Sequence, residues 1–248
     1  MEEIKLYGVK IDNVTMNEAV YRALRSTGET SVVFTPNAIM LEHARRDGEL
    51  ASLLNRASLS LADGAGVLCA AEKMGTPLCE RVAGIDFGAA LLARAERAGL
   101  RVFLLGGSEG VAERAAQNLI KKHPRLCICG TTWGYFERTG EENVSVLSYI
   151  RACRPDILFV CMGFPVQENW VVENLQHLTA VRTIACLGGS LDVWAGDLRR
   201  APAWMSRMGL EWLWRMLCQP KRFANLPKIL SFLWHVSQKE EFRAQNPL

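Results

Sequence analysis

The sequence contains no apolar run near the roughly 18 residues that a membrane-crossing helix needs. Its longest candidate, Ile229 to Val236, is far shorter. A secretory leader is not expected either, because Met1-Glu2-Glu3-Ile4-Lys5 opens acidic and no apolar segment follows. The eight cysteines include no CxxC pair, and His43, His123, His177 and His235 are scattered without ligand spacing. Hence no metal site is expected, and the cysteines read as small buried hydrophobes of a reducing compartment. Cys127 and Cys129 stand two apart on an expected strand and so share one face. GxGxxG is absent, since Leu105 stands where its first glycine would be, and no GK[ST] follows the glycines after it. That excludes the usual dinucleotide fingerprint and the P-loop. Internal repeats, low-complexity segments and linkers are also missing.

What is present is an alternation. Val32–Thr35, Leu59–Ala62, Arg101–Leu105, Leu126–Cys129, Ile157–Met162 and Thr183–Leu187 read as short β-branched or apolar strands. Helical stretches fall between them at Ala38–Leu54, Val67–Met74, Phe87–Ala98, Val111–Lys122, Glu142–Ala152 and Gln167–Leu175. Residues 1–31 add a short hairpin and a helix, with Gly8 and Asp12-Asn13 as turn signals. Strict alternation predicts an α/β fold, a Rossmann-like parallel sheet wrapped by helices. The run from Asp156 to Gly163 is apolar on both faces, as a central parallel strand should be. With 49% hydrophobic and 22% charged residues, the chain is globular in composition.

In such folds ligands gather beyond the carboxyl ends of the strands. Those positions hold Thr35-Pro36-Asn37, Asp63-Gly64, Gly106-Gly107-Ser108, Gly130 to Phe136, Gly163 to Glu168 and Gly188 to Asp192. Gly106-Gly107-Ser108-Glu109-Gly110 runs from a strand into a helix. It is either a tight turn that needs glycine or a cradle offering N–H groups to phosphate, and Gly188-Gly189-Ser190 carries the same two readings. Asp63 is either a helix cap or a general base. Asn37 is either a cap or a ligand contact. Arg81 is either a surface charge or a phosphate partner. These residues thus point to a nucleotide- or phosphate-binding α/β domain.

The last fifty residues differ from the rest. Residues 196–248 hold nine Lys/Arg against four Asp/Glu, a net +5 in a chain that totals +3. Trp204, Met208, Trp212 and Met216 recur at i, i+4 and predict one apolar helical stripe. Arg207, Glu211 and Arg215 form a charged line beside it, with Glu211 and Arg215 spaced to pair. Ile229, Leu230, Phe232, Leu233 and Trp234 follow, bordered by Lys221, Arg222 and Lys228. The domain reading is therefore 1–195 for the α/β body and 196–248 for a basic, tryptophan-rich helical appendage. Such a segment suits an interfacial helix on anionic lipid; its alternative is packing on the body or on another subunit. Nucleic acid is not expected as a partner, because the positive charge is confined to the end of a slightly acidic chain.

Eleven motifs in order carry the reading further: Thr-Pro-Asn (35–37), Ala-Asp-Gly (62–64), Glu-Arg-Val-Ala-Gly-Ile-Asp (80–86), Val-Phe-Leu-Leu-Gly-Gly (102–107), Gly-Tyr-Phe (134–136), Gly-Phe-Pro-Val-Gln-Glu (163–168), Gly-Gly-Ser-Leu-Asp (188–192), Ala-Gly (195–196), Arg-Ala-Pro (200–202), Gly-Leu-Glu-Trp (209–212) and Gln-Pro-Lys-Arg (219–222). Together they resemble the WecG/TagA/CpsF glycosyltransferase family, in its TagA-type branch, over roughly residues 5 to 235. The resemblance implies an inverting transferase that moves a sugar from a UDP-sugar donor to a polyprenyl-diphosphate-linked saccharide. It implies peripheral placement on the inner face of the cell membrane, with no cofactor and no DxD metal motif. The TagA-type branch uses N-acetylmannosamine for the teichoic acid linkage unit. Related branches use N-acetylmannosaminuronic acid or other donors for common antigen and capsule.

Carried over by motif, Asp63 is the catalytic base. Thr35, Asn37 and Gln167 line the sugar pocket, and Arg81 meets the diphosphate with the tail arginines Arg207, Arg215 and Arg222. Tyr135, Gly107, Gly163, Gly189 and Asp192 fall on the UDP side. Where the family commonly has Lys, this chain has Val166, a departure that favours an uncharged donor sugar. A non-catalytic nucleotide-sugar-binding scaffold is the competing class, and retention of Asp63, Thr35, Asn37 and Gln167 argues against it. Self-association is compatible with the apolar body helices, though no pattern demands it.

Overall fold

A computed structural model describes residues 3–25 and 28–238. In chain order the elements are β1 (Glu3–Leu6), β2 (Val9–Asp12), α1 (Met16–Leu24), β3 (Ser31–Phe34), α2 (Ala38–Arg46), α3 (Gly48–Leu54), β4 (Leu59–Ser60), α4 (Ala65–Lys73), α5 (Gly84–Ala98), β5 (Arg101–Gly106) and α6 (Val111–Lys122). Then come β6 (Cys127–Thr132), α7 (Gly140–Cys153), β7 (Ile157–Cys161), α8 (Val166–Asn174), β8 (Thr183–Cys186), α9 (Ser190–Ala195), α10 (Ala203–Arg207), α11 (Glu211–Cys218) and α12 (Leu226–Ser237). Two compact units emerge. One gathers Met1–Ala19, Thr35–Ala83 and Arg199–Leu248; the other gathers Val20–Phe34 and Gly84–Leu198. Lys239, Glu240, Glu241 and Arg243, which contribute to the tail's charge, lie outside the described residues.

The second unit carries the parallel sheet, with neighbours in the order β3-β8-β7-β5-β6. Its central strand β7 is buried along its whole length, which is why its sequence is apolar on both faces. Phe103, Phe159, Leu104 and Ile184 are fully buried in this sheet, and Trp194 packs edge-on against Phe159. Gly106 ends β5 at φ 137°, and a Cβ there would collide with the Cys161 carbonyl of the adjacent strand. Only glycine permits so close an approach.

In the first unit, β1 and β2 form an antiparallel hairpin through Tyr7 and Gly8, both at positive φ. Leu6, Val9 and Ile11 are fully buried. The expected helix over Ala38–Leu54 is two helices. It breaks at Asp47, whose carboxylate accepts from the N–H groups of Glu49 and Leu50 and so starts α3. Asp favours a cap over a helix interior for this reason.

The tail also differs from its expected single stripe. α10 and α11 are separated by a turn at Gly209 (φ 73°), where a Cβ would strike Ala65. Trp204 and Met208 are exposed, whereas Met216 is 2% exposed. α12 is built into this unit's core. Phe232 is fully buried, its ring 5.9 Å from that of Tyr7 in an edge-to-face arrangement. Gly66 faces the same ring. Ser231 Oγ donates to Glu42 Oε1 at 2.8 Å and accepts from Arg46 Nη2 at 3.1 Å. Burial raises the Glu42 carboxyl, but its hydrogen bonds with Arg45, Ser231 and Arg46 outweigh that and hold it below the usual range. Truncating Phe232 to Ala should therefore lower unfolding stability by about 3–5 kcal/mol, measured by urea denaturation. A change under about 1 kcal/mol, the level of a surface substitution, would show that α12 is not part of the core.

Candidate active site

Two backbone hydrogen bonds set three motifs side by side in the first unit. The Asp63 N–H donates to Pro36 O at 3.0 Å, and the Val82 N–H donates to Ala62 O at 3.1 Å. The segments around Asn37, Asp63 and Arg81 thus lie as neighbours, though they are far apart in sequence. Their side chains line a cavity of about 310 Å³. The opposite wall comes from the tail: Trp212, Arg215, Met216, Arg222, Ile229 and Leu233. Five of the lining side chains are charged, Arg81, Arg215 and Arg222 against Asp63 and Glu211, and the rest are mostly apolar.

Each lining residue reaches the cavity for a local reason. Asn37 is the N-cap of α2, its Oδ1 accepting from Ile39 N at 3.0 Å and Met40 N at 3.2 Å. The cap role uses its Oδ1 and not its amide nitrogen, so it does not exclude the expected ligand contact. At the start of α4 the cap position belongs to Gly64 at φ 93°, not to Asp63. Arg81 is 23% exposed, and its Nη1 donates to Glu211 Oε2 at 3.2 Å. Glu211 therefore pairs with Arg81 rather than with Arg215, the i, i+4 partner that spacing suggests. Arg222 is anchored by Gln219, whose Oε1 accepts from its Nε. Thr35 is 8% exposed and does not line the cavity. Arg207 belongs to α10, and its side chain lies outside the described set.

Tyr135, Gly107, Gly163 and Gly189 belong to the sheet unit, in the turns after β6, β5, β7 and β8, and Gln167 and Asp192 stand in the first turns of α8 and α9 that follow β7 and β8. Tyr135 is 67% exposed. Several N–H groups of these turns are already used. Gly107 N donates to Cys161 O at 3.2 Å. Gln167 Oε1 accepts from Gly163 N at 3.3 Å and from Gly188 N at 3.0 Å. Gln167 is only 3% exposed, so in this structure it ties two glycine turns together. A phosphate cradle on this rim would draw on the remaining N–H groups, not on these three.

Among the described residues, no three or more His, Cys, Asp or Glu side chains are grouped for a metal ion, and no helix is long and apolar enough to cross a membrane. None of the eight cysteines forms a disulfide among the described residues. Cys161 and Cys186 are buried as expected, and burial pushes the Cys161 thiol up to about 12. Cys79 and Cys218 are exposed and do not fit the expectation of buried cysteines.

The chain matches the glycosyl transferase WecG/TagA/CpsF family over residues 4–246. It belongs to that family. The N-acetylglucosaminyldiphosphoundecaprenol N-acetyl-beta-D-mannosaminyltransferase of Staphylococcus aureus strain NCTC 8325 is 32% identical over 243 residues, 95% of this chain and 92% of the relative. The enzyme of the same name from strain MRSA252 is 32% identical over 241 residues, with the same coverage.

Two acidic residues of this glycosyltransferase's motifs, neither of them expected in the site, stand beside site residues in the structure. Glu211 of the Gly-Leu-Glu-Trp motif stands in the cavity against Arg81. Glu168 of the Gly-Phe-Pro-Val-Gln-Glu motif is fully buried. Its Oε1 accepts from Gln167 Nε2 at 2.8 Å, while its Oε2 has no hydrogen-bond partner among the described residues. Burial raises its carboxyl to about 7, against the lesser pull of the Gln167 hydrogen bond. An acid whose folded value lies above its ordinary 4.5 is ionised first in the unfolded chain. Stability from this group is therefore full below pH ~4.5 and is lost as pH rises to ~7. Glu168→Gln should remove that decline, so that the variant gains about 3 kcal/mol relative to the parent between pH 4.5 and 8. Urea melts of both proteins across that range would read it; parallel curves would show that Glu168 does not titrate there.

Proposed function

We propose that this protein transfers N-acetylmannosamine from UDP-N-acetylmannosamine to a polyprenyl-diphosphate-linked N-acetylglucosamine, with inversion and without a metal ion. The observation that carries the reading is one cavity holding a strand-end carboxylate, Asp63, together with three guanidinium groups. The name of the relatives supplies the sugar, the acceptor and the lipid diphosphate. A carboxylate suits the proton and arginines suit the diphosphate, which is what a sugar transfer from a nucleotide requires.

In the proposed step Asp63 takes the proton of the acceptor hydroxyl. The freed oxygen attacks the anomeric carbon from the face opposite the diphosphate and forms the new glycosidic bond. The bond from that carbon to the diphosphate oxygen breaks, and UDP leaves with its electron pair. Arg81, Arg215 and Arg222 stabilise the charge that develops on the leaving group, the part that a divalent ion plays in other transferases. Asn37 offers amide hydrogens to the sugar.

A lipid-linked acceptor brings the reaction to a membrane surface. Trp204, Trp234, Leu230 and Met208 are 59%, 57%, 56% and 67% exposed on the same tail that carries Arg215 and Arg222. Exposed aromatics beside basic residues suit the headgroup layer of an anionic leaflet, and we assign the tail to the inner face of the cell membrane.

The direct test is UDP release by the full-length protein from UDP-N-acetylmannosamine, with and without the lipid-diphosphate acceptor, in EDTA. Acceptor-dependent release is expected. Release only after divalent ions are added back would end the metal-independent reading, and none with either would redirect the donor to a uronic acid or glucose nucleotide. Asp63→Asn should cut turnover by about 10²–10⁴ while UDP still binds. Full turnover in that variant would remove Asp63 as the base. Trp204→Glu with Trp234→Glu should abolish co-sedimentation with phosphatidylglycerol vesicles; unchanged sedimentation would place the membrane contact elsewhere.

A further inference from the structure

Glu211 is an odd residue to find in a cavity meant for an anionic ligand. It is 17% exposed and places a negative charge 3.2 Å from the arginine assigned to the diphosphate. Two roles are open to such a carboxylate. It can act as a counter-ion that the ligand must displace, or as a fixed acceptor that holds the arginine in position.

The surroundings of its two oxygens decide between them. Oε1 accepts from Ser206 Oγ at 2.8 Å and lies 3.6 Å from Arg200 Nη2. Oε2 accepts from Arg81 Nη1. The carboxylate is thus held from the side away from Arg81, across the turn between α10 and α11. That turn is itself fixed by the Leu210 N–H, which donates to Met205 O at 2.8 Å, and by the close approach of Gly209 to Ala65. An acceptor anchored this way does not swing aside for a ligand. Arg81 meets it through one terminal nitrogen, and a guanidinium carries five N–H donors in a rigid fork. The others stay available to the cavity. Arg81 also shares that cavity with a second carboxylate, Asp63. A dedicated partner at Glu211 gives the guanidinium one preferred place.

We propose that Glu211 is a positioning residue: anchored by Ser206, it sets the Arg81 guanidinium in the orientation that receives the donor diphosphate. This rests on the assignment of Arg81 to the diphosphate. It also gives the tail a role in donor binding through a residue that acts by way of Arg81.

The test is a double-mutant cycle on the full-length protein, with UDP affinity measured by calorimetry for the parent, Arg81→Ala, Glu211→Ala and the double variant. Glu211→Gln, which keeps the side chain's size, serves as a second reporter should the alanine loosen the turn. Glu211→Ala and Glu211→Gln are each expected to weaken UDP binding, the alanine by about tenfold, the scale of one charge-assisted contact. In the Arg81→Ala background the Glu211 substitution should have no further effect, because it acts through Arg81. An equal loss in both backgrounds would overturn the proposal and leave Glu211 as a support of the turn alone. Tighter UDP binding by Glu211→Gln would also overturn it, showing a competing counter-ion. If Arg81→Ala leaves UDP affinity unchanged, the diphosphate assignment fails first and the proposal falls with it.

Discussion

The cavity depends on a pair of main-chain hydrogen bonds, from Asp63 to Pro36 and from Val82 to Ala62. Backbone groups have obligatory partners when buried, and here that requirement does positional work. It places the ends of three segments in register without calling on any functional side chain. Asn37, Asp63 and Arg81 are thereby brought to one cavity. The tail completes the enclosure by ordinary packing. Phe232 and Ile229 are buried, and Gly66, three residues after Asp63, is small enough to admit the Phe232 ring. The same helix that fills the core therefore also forms a wall of the cavity.

Three glutamates show how differently a fold can treat a buried or half-buried carboxylate. Glu42 is buried but surrounded by Arg45, Arg46 and Ser231, so it stays ionised and joins α2 to α12. Glu168 is buried with a single amide partner, so its ionised form is penalised. Glu211 is partly exposed and shared between Arg81 and Ser206. Desolvation raises a carboxyl and cationic donors lower it; the number of donors in reach decides the outcome. Only the Glu42 arrangement can be justified as a fastening by its geometry alone. The other two are costly or ambiguous as fastenings, and both lie next to residues with a candidate part in binding.

Much of this was legible in the sequence, for identifiable reasons. Strands such as Ile157–Cys161 are short, apolar and bounded by turn residues, so periodicity and length find them without tertiary information. The parallel order follows from alternation with helices. What escaped depended on contacts between distant residues. Trp204, Met208, Trp212 and Met216 have perfect helical spacing, yet Gly209 turns the chain because Ala65 lies against it. The i, i+4 relation of Glu211 and Arg215 is real on paper, but Arg81, 130 residues away, takes the carboxylate. Ala38–Leu54 looked continuous until Asp47 acted as a cap, a local signal that was present and outweighed by the apolar pattern. Gln167 was placed in the sugar pocket by resemblance; its burial and its two glycine N–H partners are visible only in three dimensions.

The tail poses the sharper question of how one segment can be core and also carry the membrane contact proposed for it. Amphipathicity resolves it residue by residue. On α12 the buried positions are Ile229, Phe232 and Val236, while Leu230, Leu233 and Trp234 are exposed at 56%, 41% and 57%. A helix apolar on both sides has more hydrophobic surface than its own core can cover. Large apolar patches on one side of a protein otherwise invite aggregation, so their retention beside arginines argues for a partner that tolerates both. A lipid headgroup layer does, because tryptophan rings settle at its depth while guanidinium groups meet its phosphates. Leu233 is also a lining residue of the cavity. The surface we propose for lipid and the wall of the candidate pocket therefore meet on one helix at Leu233, where the proposed polyprenyl-linked acceptor would be met by both.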